Sequence, residues 1–387
     1  DIWPRFSLSP STACQTRHHM LRCACVTLLL LLIAAGAAGA PSSRHFVFFR
    51  ASVLILLSAP VVQSQLAALT TGDRFVQKLR DAGSSIFMWS PKDKVPASWA
   101  AYHPTAAPFN LSDGSLIYSE SATYCSILYL SGQACGDGAR ALVVEQGTLI
   151  GHSSRCLAAG LAVAEKARNT SISYHAFDFF SSFPATAMRR ANFPESNMLW
   201  QLYRQGKTKP SYLQSIWHAQ MVDPVFVGAM GHPGDIGQST PKLLRSHGLN
   251  ELPLEIWSID SAKSHTQFIT QAAAVWPRLR AGSIIHLMDC FKHQLFFFFE
   301  KFVMPGDVEC VFGSLTSSPW SFVVRRAPLD WGKVVSHAGG EKSCASKPAV
   351  VEYIQRTIDR LGKMYGAHQA EIDARKALLA QKCSLKG

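Results

Sequence analysis

The residues whose types and spacing could do chemistry lie between Ala141 and Asp178, in ALVVEQGTLIGHSSRCLAAGLAVAEKARNTSISYHAFD. Ala141 to Val144 is short, apolar and partly β-branched, which suits a buried parallel strand. Glu145 to Gly151 reads E-x-G-x-x-x-G, a turn with two backbone-permissive positions. From His152 the pattern is helical, Ile172 to Phe177 is a second strand, and Asp178 falls at that strand's end. Strand, turn, helix, strand and acid make a βαβ unit with a ligand crevice beyond the strand ends. A carboxylate in the turn repels phosphate but accepts hydrogen bonds from an ammonium group. Asp178 can accept from ribose hydroxyls. Gly147 and Gly151 stand too far apart for the first pair of a G-x-G-x-x-G dinucleotide turn, which disfavours a nicotinamide oxidoreductase. A ligand with an amine and a ribose but no phosphate fits better.

Further acids end later strands. Leu254 to Ile259 leads into Asp260, and Ser283 to Met288 leads into Asp289. Lys263 and His265 follow Asp260, and either suits a general base, His265 titrating nearer neutrality. The plain alternatives are that Lys263 pairs with Asp260 and that His265 caps the next helix. His293, beyond Asp289, is a weaker candidate of the same kind.

These residues need elements to position them. The pattern predicts helices over Leu66–Ala82, Ser115–Ser131, Glu195–Gln205, Tyr212–Met221, Pro241–Gly248, His265–Leu279, Phe291–Val303 and Ala349–Ala380. It predicts strands over Pro224–Met230, Leu254–Ile259, Ser283–Met288, Val308–Leu315 and Trp320–Arg326, the last two forming a hairpin. The aromatic segment Phe179 to Val222 interrupts the alternation; it would cap the crevice or pack as an ordinary helical layer.

A doubly wound, mostly parallel seven-stranded sheet closed by an antiparallel hairpin resembles the class I S-adenosylmethionine-dependent methyltransferases. The resemblance covers about Leu116 to Arg326 and is nearest to the sugar O-methyltransferase-like, glycosyltransferase-associated group. Its pieces are VVEQGTLIGHSSRCLAAGL, YHAFDFF, HPGDI, LEIWSIDSAKS, WPRLRAGSIIHLMDCF and WSFVVRR, in that order. The resemblance implies S-adenosylmethionine as cofactor and methyl transfer to a hydroxyl of a sugar or other small molecule. It implies that Glu145, Gly147 and Gly151 wall the methionine end and that Ser153 caps the next helix and meets the cofactor carboxylate. Asp178 would hold the ribose, and Asp235 with Ile236 would approach the adenine. In metal-dependent members Asp260 and Asp289 would bind Mg²⁺, but Met288-Asp289-Cys290 stands where those enzymes pair two acids. The alternative is a non-catalytic relative that binds a ligand or partner.

The chain has 387 residues, 48% hydrophobic and 17% charged, enough for a large core. The net charge of +12 is scattered, with no basic run interleaved with aromatics, so no nucleic-acid partner is expected. Residues 1–65 read as a presequence. Residues 1–19 are expected to be a gene-model extension before Met20, 20–40 a signal peptide, and 46–62 a second apolar segment able to anchor the chain in a membrane. These features predict entry to the secretory pathway, or organelle targeting by a two-part presequence. The sequons at Asn110 and Asn169 would carry glycans there. Residues 66–113 form a helix and linker, 114–328 the methyltransferase-like domain, and 329–387 a linker and charged helix. The cysteine spacing disfavours structural zinc and leaves Cys125–Cys135 and Cys344–Cys383 as candidate disulfides.

Overall fold

A computed structural model describes residues 69–83, 109–110, 116–117, 122–148, 151–180, 202–206, 209–222, 226, 228, 229–249, 251–262, 264–288, 296–313, 320–337 and 347–384. The presequence, Lys263, Asp289, His293 and Cys344 lie outside these residues. Among the described residues no helix is long and apolar enough to cross a membrane.

The main sheet has seven strands: β1 (Arg140–Gln146), β2 (Ser171–Asp178), β3 (Ala229–Pro233), β4 (Leu254–Ile259), β5 (Leu279–Leu287), β6 (Val308–Gly313) and β7 (Trp320–Val324). Their order is β3-β2-β1-β4-β5-β7-β6. The first five run parallel, and β7 is antiparallel to both β5 and β6. Chain order reverses between β1 and β4, so the crevice of an open sheet opens there. This is the Rossmann-like methyltransferase topology that the sequence predicts. β4 is buried at all six positions, as expected of a central parallel strand.

The helices are α1 (Thr71–Ala82), α2 (Ala122–Ala134), α3 (His152–Arg168), α4 (Pro210–Val222), α5 (Ile236–Ser246), α6 (His265–Ala272), α7 (Phe296–Phe298, continuing as a π turn to Val303), α8 (Trp331–Val335), α9 (Pro348–Met364) and α10 (Gln369–Ser384). Thr70 starts α1 with a reciprocal capping box to Asp73. α2 and α3 touch backbone to backbone: a Cβ on Gly160 would fall within 2.9 Å of Gln133 N, and one on Gly132 within 2.6 Å of Leu157 O. The Cys125–Cys156 disulfide joins the same two helices.

Several sequence expectations need correction. Leu116–Ile117 pairs with Phe109–Asn110 as a short antiparallel ladder, so α2 begins at Ala122 and not at Ser115. The third strand is Ala229–Pro233, displaced toward its turn. α5 starts at Ile236 because Asp235 caps it, and Pro241 is accommodated inside it. The helix from His265 ends at Ala272; a 3₁₀ turn at Trp276–Arg278 then feeds β5, which begins at Leu279. The long carboxy-terminal helix is two. Gly366, at φ 70°, ends α9 in a Schellman turn, with Ala367 N donating to Gly362 O at 2.8 Å and Gly366 N to Lys363 O at 3.3 Å. Cys125 pairs with Cys156 and not with Cys135, which is a buried thiol. Cys383 is disulfide-bonded as well.

Candidate functional site

At the carboxyl end of β1, consecutive residues point to opposite faces of the sheet. Glu145 turns toward α3 and is 1% exposed. It accepts from Ser153 Oγ at 2.6 Å, from Ser154 Oγ at 2.5 Å and from the Tyr174 hydroxyl. Burial pushes its carboxyl above the usual range, the three hydroxyls oppose that rise, and the charge of Asp260 adds to it. Burial, then the negative charge of Glu145, pushes the Tyr174 phenol well up.

Gln146 faces the other side and is fully buried. Its amide donates to Thr240 Oγ1 at 3.2 Å and to Gln271 O at 2.9 Å, while its Oε1 accepts from Trp257 Nε1 at 2.9 Å. Its backbone carbonyl takes Asp260 N at 2.8 Å and Ser261 N at 3.3 Å. One residue thereby ties β1 to β4, α5, α6 and the Asp260 loop.

Gly147 then turns the chain at φ 91°. A Cβ there would stand 2.6 Å from Ser261 N and 3.0 Å from Asp260 C, so only glycine fits. This contact joins the β1 and β4 turns at the point where strand order reverses. Gly151, at φ 96°, is the N-cap of the 17-residue α3 and offers no side-chain cap. Thr148, in the same turn, has a buried Oγ1 with no partner. An uncapped helix start beside an unpartnered buried hydroxyl suits an anionic group.

The other predicted residues divide. Asp178 ends β2 at the same edge of the sheet, and its Oδ1 accepts from Phe180 N at 2.8 Å. Asp260 follows β4 and meets the Gly147 turn. Asp235 caps α5 by accepting from Gln238 N at 3.1 Å, with Ile236 buried behind it. Two expectations change. Ser153 does not cap α3, because the helix starts at His152; its hydroxyl reaches back to Glu145. The Glu145 carboxylate is likewise directed inward, with three donors on its lone pairs, and is not offered to a ligand ammonium.

Ser264, not His265, caps α6. His265 Nε2 lies 2.9 Å from Val334 O and must carry the proton there, since a carbonyl only accepts. Its ring packs on Phe297 and His337. That leaves Nδ1 alone for base chemistry. Lys263 and Asp289 lie outside the described residues. Among the described residues no group of three or more His, Cys, Asp or Glu is arranged to hold a metal ion.

Sequence reasoning missed Ser154, Tyr174, Gln146, Thr148 and Trp217. Gln146 and Thr148 lie within the glycine-turn motif itself, and Ser154 follows it by three residues, so these were open to notice. Tyr174 and Trp217 reach the site from 29 and 63 residues away from their partners, a distance no local pattern spans.

No protein-family model matches this chain, and no curated protein is similar to it. Solved structures with a similar course include the calicheamicin methyltransferase CalS11, at 14% identity over 65% of this chain and 91% of that one, with a TM-score of 0.37. Another is the O-methyltransferase TomG from Streptomyces achromogenes in complex with SAM, at 13% identity over 65% and 98%, TM-score 0.35. A third is the O-methyltransferase NovP, at 13% over 48% and 72%, TM-score 0.32. Likeness at this level adds nothing to what the strand order establishes by itself.

Proposed function

We propose that this chain binds S-adenosylmethionine at the carboxyl edge of the sheet and directs its methyl group to a hydroxyl of a sugar or other small molecule. The observation that carries the reading is the contact of Gly147 with Asp260–Ser261 at the reversal of strand order, with Asp178 ending the neighbouring strand. The uncapped start of α3 and the Thr148 hydroxyl would hold the cofactor's carboxylate. Asp178 would hold the ribose hydroxyls, and the Asp235–Ile236 turn would border the adenine. The cofactor, when bound, supplies an electrophilic methyl group on a sulfonium. The protein's task is then alignment and exclusion of water. Asp260, at the mouth of the crevice, would orient the acceptor hydroxyl and draw on its proton. His265 could take that proton only through Nδ1. Among the described residues no group is arranged to hold Mg²⁺.

We further place the chain in the secretory pathway. The Cys125–Cys156 disulfide supports an oxidising compartment, where such bonds persist.

The test is transfer itself. The purified chain is incubated with methyl-labelled S-adenosylmethionine and a panel of sugars, glycans and small hydroxyl compounds. A labelled product, with equal release of S-adenosylhomocysteine, is expected for one acceptor class. Cofactor binding without transfer to any member would favour the non-catalytic alternative, a reading that the inward-turned Glu145 and the engaged His265 also favour.

A further inference from the structure

The three turns assigned to the cofactor follow β1, β2 and β3, and one indole touches a residue within three positions of each. Trp217, on α4, is wholly buried and so touches no ligand. Its Nε1–H donates to Ser154 Oγ at 2.9 Å, and Ser154 gives its own proton to Glu145 at the base of the glycine turn. The indole N–H therefore fixes the direction in which the serine hydroxyl points.

Beyond β2, the Trp217 ring meets Phe180 edge to face, centroids 6.4 Å apart. Phe180 has φ 48°, a left-handed backbone that a non-glycine residue adopts only under strain. Its N–H is the donor to Asp178 Oδ1. Burial of the Phe180 ring against Trp217 offsets the strain and holds that turn. On β3 the indole lies over Gly231, where a Cβ would come within 2.9 Å of Trp217 Cε3. Gly231 stands two residues before the Pro233-Gly234-Asp235 turn.

We propose that Trp217 is a positioning residue that sets the three cofactor-facing turns relative to one another, acting on the glycine turn through Ser154. The inference rests on the S-adenosylmethionine reading. It gives α4, part of the aromatic segment that interrupts the strand-helix alternation, the work of bracing the site from behind.

The experiment is a double-mutant cycle on the full chain, reading S-adenosylmethionine affinity by calorimetry for wild type, Trp217→Phe, Ser154→Ala and the double variant. Trp217→Phe removes the N–H and leaves a smaller ring in its place. Each single variant is expected to weaken binding about tenfold, and the double by clearly less than the product of the two, because both cut one linkage. Unchanged affinity in Trp217→Phe, or losses that multiply to about a hundredfold as for a merely structural residue, would overturn the inference. Gly231→Ala, which crowds the indole without removing it, should also weaken binding, and it replaces Trp217→Phe in the cycle if that variant does not fold. A folded wild type that binds no S-adenosylmethionine would overturn the functional reading, and this inference with it.

Discussion

Glu145 and Glu255 stand on adjacent parallel strands at opposite edges of the sheet, and both are out of water. They are held by different chemistry. Glu255, near the start of β4, accepts from the backbone N–H groups of Gly136 and Asp137, from Thr71 Oγ1 at 2.7 Å and from Arg280 Nη2 at 3.0 Å. Asp137 in turn receives Arg74. Charge and fixed backbone donors therefore lock α1 and the loop before β1 onto that edge. Glu145 has only neutral hydroxyls, of which Ser153 and Tyr174 turn on their own bonds while Trp217 holds Ser154. The contrast teaches where this fold can yield. The edge remote from the crevice is fixed in part by backbone donors that cannot turn away, and the crevice-side carboxylate has no such donor.

Glu255→Ala should give the largest effect. It strands two backbone N–H groups, which costs about 4 kcal/mol, while Arg280 keeps Asp137 as a partner. A urea midpoint close to that of wild type would break the comparison. Replacing both Cys125 and Cys156 by Ala should cost about 3 kcal/mol, given a loop of 31 residues. Because the bond ties the first turns of α3, on the crevice side, the loss should appear as faster amide exchange at Gly151–Arg155 before global unfolding.

Acid should act next. His175 Nδ1 and His232 Nε2 lie 2.8 Å apart, and one must be neutral to accept the other's proton. Burial, then the charges of His232 and His247, pushes His175 down to about 4. Burial, then His247 and His218, does the same to His232. A histidine depressed in the folded state contributes stability that is present above its ordinary value near 6.5 and is lost as pH falls toward 4. Denaturation midpoints should therefore drop between pH 6.5 and 4. A flat profile over that window would contradict the neutral pair.

Glu145→Gln should be mildest, about 1 kcal/mol or less at neutral pH, since the Ser153 and Tyr174 hydroxyls can turn to meet an amide. Burial raises the Glu145 carboxyl, so its ionised form becomes a burden as pH rises past its ordinary range. The variant should compare better with wild type at pH 7 than at pH 4. Equal differences at both values would mean that the hydroxyls fully compensate the burial.

Much of this was legible along the chain. Leu254–Ile259 reads as a strand because four of its six residues are apolar in one short run, and the structure keeps those bounds. The glycine turn and the helix start at His152 follow from residue types within one turn of one another. Gly248, expected to stop α5, does so in a Schellman turn at φ 63°. Gly366 does the same for α9, yet the apolar periodicity on both sides of it reads as one helix. Ser153 misled because a serine near a helix start is a good cap, while here Gly151 already occupies that place. The partner of Cys125 and the reach of Trp217 depend on how α2, α3 and α4 pack, which local spacing does not encode.

On the proposed function, the β1–β4 crevice holds S-adenosylmethionine. The most direct measurement is calorimetric titration of the full chain with that ligand and with NADH, for wild type, Asp178→Ala and Gly147→Ala. Micromolar binding of S-adenosylmethionine alone, lost in both variants, is the predicted result. A folded wild type that binds neither ligand, or binding that survives Gly147→Ala undiminished, would contradict it.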